Sequence, residues 1–185
     1  MFEGTSPSAA DPGGEPLSSV VLDLDVDPPA PAQLPELITH IVTRYHDIHR
    51  RDFPQAIALA RKVEAVHAAE AECPRGLADH LALMFDDLQS HQAREEQVLF
   101  PMLLAGGHPM VRFPIARMMA EHRDVDEQLL RLQALTRDFS SPPQACGTWQ
   151  ALARLCRKID SELREHMRIE NERLFPPFLE RDGAP

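Results

Sequence analysis

One eleven-residue pattern occurs twice in the chain. His91-Gln92-Ala93-Arg94-Glu95 is followed by Leu99-Phe100-Pro101, and His166-Met167-Arg168-Ile169-Glu170 by Leu174-Phe175-Pro176. Both read H-x-x-x-E-x-x-x-L-F-P, with five positions fixed. Residues i and i+4 share one face of a helix about one turn apart. The repeat therefore predicts two helices, each presenting a histidine and a glutamate to a common point, with the phenylalanine as a packing lid and the proline as a stop.

From residue 34 onward the helix period dominates. Turn residues cluster at Ala71–Gly76, Ala105–Pro109 and Ser140–Pro143, which divides the segment into four helices at about 34–68, 76–104, 111–138 and 147–180. No segment alternates as a core strand. Four long helices with short links predict an all-α, up-down-up-down four-helix bundle. Pro54 falls inside the first helix, where it must kink or interrupt it. Residues 1–33 hold six prolines and read as a flexible tail, leaving 34–185 as the bundle. Within the tail, the apolar stretch Val20–Val26 is a candidate strand or docking segment.

The bundle brings more histidines to the same height. Level residues in an antiparallel hairpin are equidistant from the loop centre. His46 and His91 have their midpoint at 68.5, Glu95 and His122 at 108.5, and His122 and His166 at 144. Each falls in or beside an expected turn. His46, His91, Glu95, His122, His166 and Glu170 thus form one layer across all four helices. Burying this layer without a cation would leave two carboxylates facing each other in low dielectric.

The inventory is four imidazoles, two carboxylates and no thiolate. Structural zinc favours four tetrahedral ligands, often sulfur. Six ligands suit two metals that share both carboxylates. Two histidines, two carboxylate oxygens and a solvent-derived bridge give each ion about five ligands. Iron accepts six, so a position stays open for O₂ or NO. Di-manganese or an iron–zinc pair is also compatible. His67 lies too far along the first helix to join unless Pro54 redirects the chain. His49 is either an outer partner of the layer or polar surface. Tyr45 and Trp149 read as core, and Glu121 as a solvated face.

Charge narrows the function further. The net charge of −10 argues against nucleic acid and anionic lipid as partners. No stretch is long and apolar enough for a membrane helix. The first residues lack a signal-peptide pattern. Three cysteines without a C-x-x-C pair argue against a disulfide framework and suit a cytoplasmic setting.

The His-x-x-x-Glu pairs, with further histidines on the other two helices, resemble the hemerythrin-like fold. More narrowly, Arg44–Arg50, Lys62–His67, Glu95–Met102, Glu121-His122 and Pro142–Trp149 resemble the di-iron Repair of Iron Centres family over about residues 34–180. The resemblance implies two non-haem iron ions, oxo- or hydroxo-bridged. His46, His91, His122 and His166 would be ligands, and Glu95 and Glu170 bridges. It implies a stress-defence role in which iron–sulfur clusters damaged by nitric oxide or oxidants are repaired. Damaged iron–sulfur proteins would be partners, and NO or O₂ small ligands. The alternative is an NO- or O₂-binding buffer or sensor without repair activity. Many family members carry an N-terminal cysteine pair, whereas residues 1–33 hold no cysteine, which moves the expectation toward NO binding. No catalytic residue is assigned.

Overall fold

The computed structural model of this chain describes residues 33–179. The expected tail over residues 1–33, with its Val20–Val26 stretch, lies outside the described residues except for Gln33.

The chain forms helices α1 (Leu34–Ile41), α2 (Asp47–Val66), α3 (Leu77–Arg94), α4 (Phe100–Leu104), α5 (Arg112–Leu135), α6 (Gly147–Ile169) and α7 (Pro176–Leu179). Three π-helical turns join them: Val42–His46 between α1 and α2, Glu95–Leu99 between α3 and α4, and Glu170–Leu174 after α6. The four expected helices are therefore present, three of them carrying one widened turn. Pro35 opens α1, where its missing N–H costs nothing. Gly76 precedes α3 in the left-handed conformation, φ 83°, which glycine adopts without penalty. Pro54 lies within a continuous α2, so of the two expected outcomes, kink or interruption, the interruption does not occur.

Helix α2 packs against α3 and α6, α3 against α5, and α5 against α6. This closes a square bundle. The core has two apolar parts. One holds Phe53, Leu81, Leu129, Trp149, Ile159 and Leu163, among others. The other holds Ile41, Leu99, Leu103, Ile115, Leu174 and Phe175, among others. All six residues of the predicted layer are buried, and none belongs to either apolar part. Each helix supplies at least one of them, at the joint between its two apolar segments. Among the described residues, no helix is long and apolar enough to cross a membrane.

The link from α5 to α6 is unusual. Arg137, Asp138 and Phe139 all have positive φ, at 49°, 58° and 56°. Left-handed backbone costs a non-glycine residue roughly 1–2 kcal/mol. Thr136 offsets part of this: its hydroxyl donates to Leu132 O at 2.7 Å and accepts from Phe139 N–H at 3.2 Å.

Candidate metal centre

The widened turns coincide with the candidate ligands. His46 ends the first, Glu95 begins the second and Glu170 begins the third. In the second and third, a proline follows two residues after the turn. A proline ring clashes with the carbonyl four residues earlier, here Gln97 or Glu172, and the wider turn moves that carbonyl away. Phe175 N–H then bonds Glu170 O, five residues back, at 2.9 Å. The L-F-P ending of the repeat thus accompanies two π-turns, which often mark functional sites, whereas Pro54 leaves α2 unwidened. The first turn has no such proline, and nothing in the sequence announces it.

The six side chains converge as two overlapping groups. His46, His166, Glu95 and Glu170 form one, and His91, His122, Glu95 and Glu170 the other; within each, one donor atom per residue lies within 4.8 Å of the rest. Glu95 Oε2 lies 3.4 Å from His46 Nε2, and its Oε1 lies 3.2 Å from His91 Nε2. Glu170 Oε1 lies 3.2 Å from His166 Nε2, and its Oε2 lies 3.2 Å from His122 Nε2. Each carboxylate therefore sends one oxygen to each group.

The imidazoles are held in one orientation. His46 Nδ1 donates to Glu96 at 2.7 Å, His91 Nδ1 to Glu121 at 2.9 Å, and His122 Nδ1 to Asn171 Oδ1 at 2.9 Å. These oxygens only accept, so Nδ1 carries the proton and Nε2 points its lone pair inward. Arg50 steadies Glu96, while Arg94 and Arg117 steady Glu121. The fourth ring, His166, has no partner at Nδ1. Tyr45 stacks on it at 5.4 Å and 9° instead. Phe100 and Phe175, from the two repeats, stack on His46 and His122.

This arrangement fits cations. His46 Nε2 and His166 Nε2 face each other at 3.1 Å, and His91 and His122 Nε2 at 3.3 Å. All four oxygens of Glu95 and Glu170 are buried, and apart from the imidazole nitrogens at 3.2–3.4 Å none has a hydrogen-bond partner. Facing lone pairs beside two buried carboxylates repel unless positive charge lies between them, supplied by a proton, as on His91 in the protein alone, or by a cation. For the protein alone, burial and then the charge of Glu170 push the Glu95 carboxyl up. Burial also opposes ionisation of Glu170, but His166 and His122 hold it well below the usual carboxylate range. Burial, then His166, brings His46 down to about 4. Burial opposes protonation of His91 too, yet Glu95, Glu170 and Glu121 lift it to about 9.

The remaining histidines stand apart from the cluster. His67 lies at the end of α2, outside it. His80 bonds Gln128 O at 2.9 Å, tying α3 to α5. His108 accepts from Met110 N–H in its loop. His49 is buried beside the cluster, its ring 5.5 Å from that of His166. Its Nδ1 is 3.1 Å from Gln92 Nε2, and its Nε2 has no partner. It is therefore an inner residue and not polar surface. A cleft of about 260 Å³, lined by Ser90, His91, Arg94, Glu121, Val125 and Gln128, reaches the His91 side.

The description "Hemerythrin HHE cation binding domain" matches residues 37–178. The chain belongs to the hemerythrin family. Within that family its relatives include the "Iron-sulfur cluster repair protein YtfE" of Dickeya chrysanthemi, 41% identical over 88% of this chain and 76% of the relative. The proteins of that name from Citrobacter koseri and Escherichia coli are 42% and 41% identical over 80% of this chain and 67% of theirs. The chain is thus a hemerythrin-type protein of the same family as these repair proteins.

Sequence reasoning missed the orienting residues. Glu121 reads as a solvated face, and the motif spacing marks neither Glu96 nor Asn171. A signal was nevertheless present, because each is the sequence neighbour of a cluster residue on another helix. Glu96 follows Glu95 and holds His46. Glu121 precedes His122 and holds His91. Asn171 follows Glu170 and holds His122. Tyr45, which precedes His46 and stacks on His166, completes the set.

Proposed function

We propose that this chain is an iron–sulfur cluster repair protein whose working centre is a pair of iron ions. His46 and His166 would hold one ion, His91 and His122 the other, and Glu95 and Glu170 would bridge them. The single observation that carries this reading is the pair of four-residue groups sharing both glutamates, within a chain 41% identical to cluster repair proteins. Four protein atoms per ion, where iron accepts six, leave room for a small ligand. Such a centre, when bound, supplies one-electron redox change and open positions for NO or O₂. The protein's part is to aim four Nε2 lone pairs inward through Glu96, Glu121, Asn171 and Tyr45, and to exclude bulk water with an apolar core on each side. The cleft beside His91 would bring small molecules to the outer face of that ring.

The test incubates the iron-loaded protein with an enzyme whose cluster has been damaged by NO. Restored enzyme activity, lost with Glu95→Ala, supports the reading. A well-loaded protein that restores nothing refutes it. The open positions also suit a second reading, in which the centre buffers or senses NO without repair. Tight NO binding by the reduced protein, with no iron passed to an apo-cluster protein, selects it.

A further inference from the structure

A second cluster of reactive side chains lies at the other end of α2. That helix has 20 residues, so its far end is roughly 30 Å from the metal layer. His67 caps it, and Cys146 caps the start of α6. His67 Nε2 is 3.1 Å from Cys146 Sγ, and His67 Nδ1 is 2.6 Å from Glu70 Oε1. A nucleophile, a base and a carboxylate that orients the base thus stand in line. Trp149 packs on the imidazole at 5.0 Å. The thiol is exposed, whereas Cys73 and Cys156 are buried. A cavity of about 200 Å³ shares Trp149 with this cluster and is lined also by Arg137, Ser140, Ser141, Pro142 and Pro143, though not by Cys146, His67 or Glu70 themselves. The left-handed run at Arg137–Phe139 shapes its rim, so strained backbone borders the space.

We propose that Cys146, His67 and Glu70 form a second reactive site, at which Cys146 exchanges with a low-molecular-weight disulfide. His67 Nε2 takes the thiol proton. The thiolate sulfur attacks one sulfur of R–S–S–R, so the bond from Cys146 to that sulfur forms as the original S–S bond breaks. The leaving R–S⁻ accepts the proton from His67. Cys146 is oxidised to a mixed disulfide, half of the reagent is reduced to R–SH, and no other oxidant enters. The half that stays attached has room at the exposed Cys146 sulfur. The electrostatics agree with the geometry: backbone N–H of Trp149, then His67, bring the Cys146 thiol down to about 7, while burial holds Cys156 up at about 12.

The test uses the metal-loaded full chain and oxidised glutathione at pH 7, followed by mass spectrometry. One glutathionyl adduct, mapped to Cys146, is expected. Greater thiolate fraction, partly offset by lower intrinsic nucleophilicity, makes it form about 3-fold faster than on the urea-unfolded chain. His67→Ala and His67→Gln should each lose that advantage. They should also lose the ultraviolet thiolate absorption that distinguishes wild type from Cys146→Ser. Reaction no faster than in the unfolded chain, which needs no variant to establish, overturns the proposal. So does an unchanged rate in folded His67 variants, or an adduct confined to Cys73 or Cys156.

Discussion

Removing Glu95 should affect metal binding differently from removing any histidine. Glu95 places Oε2 beside His46 and Oε1 beside His91, at 3.4 and 3.2 Å, so Glu95→Gln takes one of four protein atoms from both positions. His46→Ala takes one from a single position and leaves His91, His122, Glu95 and Glu170 in place. An outer partner of a metal ligand is worth about 10–100-fold in affinity, and a direct ligand at least the upper end, or about 2.8 kcal/mol. Glu95→Gln should therefore lose both ions under chelator competition, and His46→Ala should keep one. The metal-free proteins should show the opposite order of stability. A buried carboxylate without a hydrogen bond costs about 1–3 kcal/mol, and the neutral amide removes the repulsion from Glu170. At about pH 10, where His91 is neutral and offers Glu95 no ion pair, metal-free Glu95→Gln should then melt about 2–10 °C above the metal-free wild type. The assay is calorimetry with and without metal, alongside metal content by mass spectrometry. The reasoning fails if Glu95→Gln keeps two ions, or if its metal-free form melts lower than wild type at that pH.

Four further outcomes follow. Metal affinity at the His91 and His122 position should rise with pH, because His91 must release a proton and its pKa stands at about 9 in the metal-free protein. One proton gives about tenfold per pH unit below that value, measurable by chelator titration between pH 6 and 8. The same raised pKa stabilises the metal-free fold below about pH 6.5 and loses that contribution as pH rises through about 9. Glu121→Gln should weaken metal binding about 10–100-fold while leaving the helical circular dichroism spectrum unchanged, since Glu121 touches the cluster only through His91 Nδ1. Phe53→Ala, in the apolar part that holds Trp149, should cost about 3–5 kcal/mol of stability in denaturant titration, yet leave the number of bound ions unaltered.

Much of this was legible in the residues. Helix period and turn clusters placed four helices and their links, because packing in a bundle follows the apolar stripe. Loop midpoints set His46, His91, Glu95, His122, His166 and Glu170 at one height, because an antiparallel hairpin with short links fixes its own register. Three things lay beyond that reasoning. A π-turn shifts the apolar stripe by a single position, which is within the scatter of such a stripe, so the turn at Val42–His46 left no mark. Glu96 and Glu121 carry charge, and charge on a helix usually means solvent; only the three-dimensional arrangement shows that each points at a ring on another helix. The pairing of His67 with Cys146 joins residues 79 positions apart across two helix ends, where no periodicity connects them.

The central claim is that two metal positions share both glutamates. Mössbauer and magnetic measurements on iron-loaded protein test it most directly. Two irons per chain, magnetically coupled to each other and lost together in Glu95→Gln, are the expected result. A single iron, or two irons that behave as independent magnetic centres, would contradict the account.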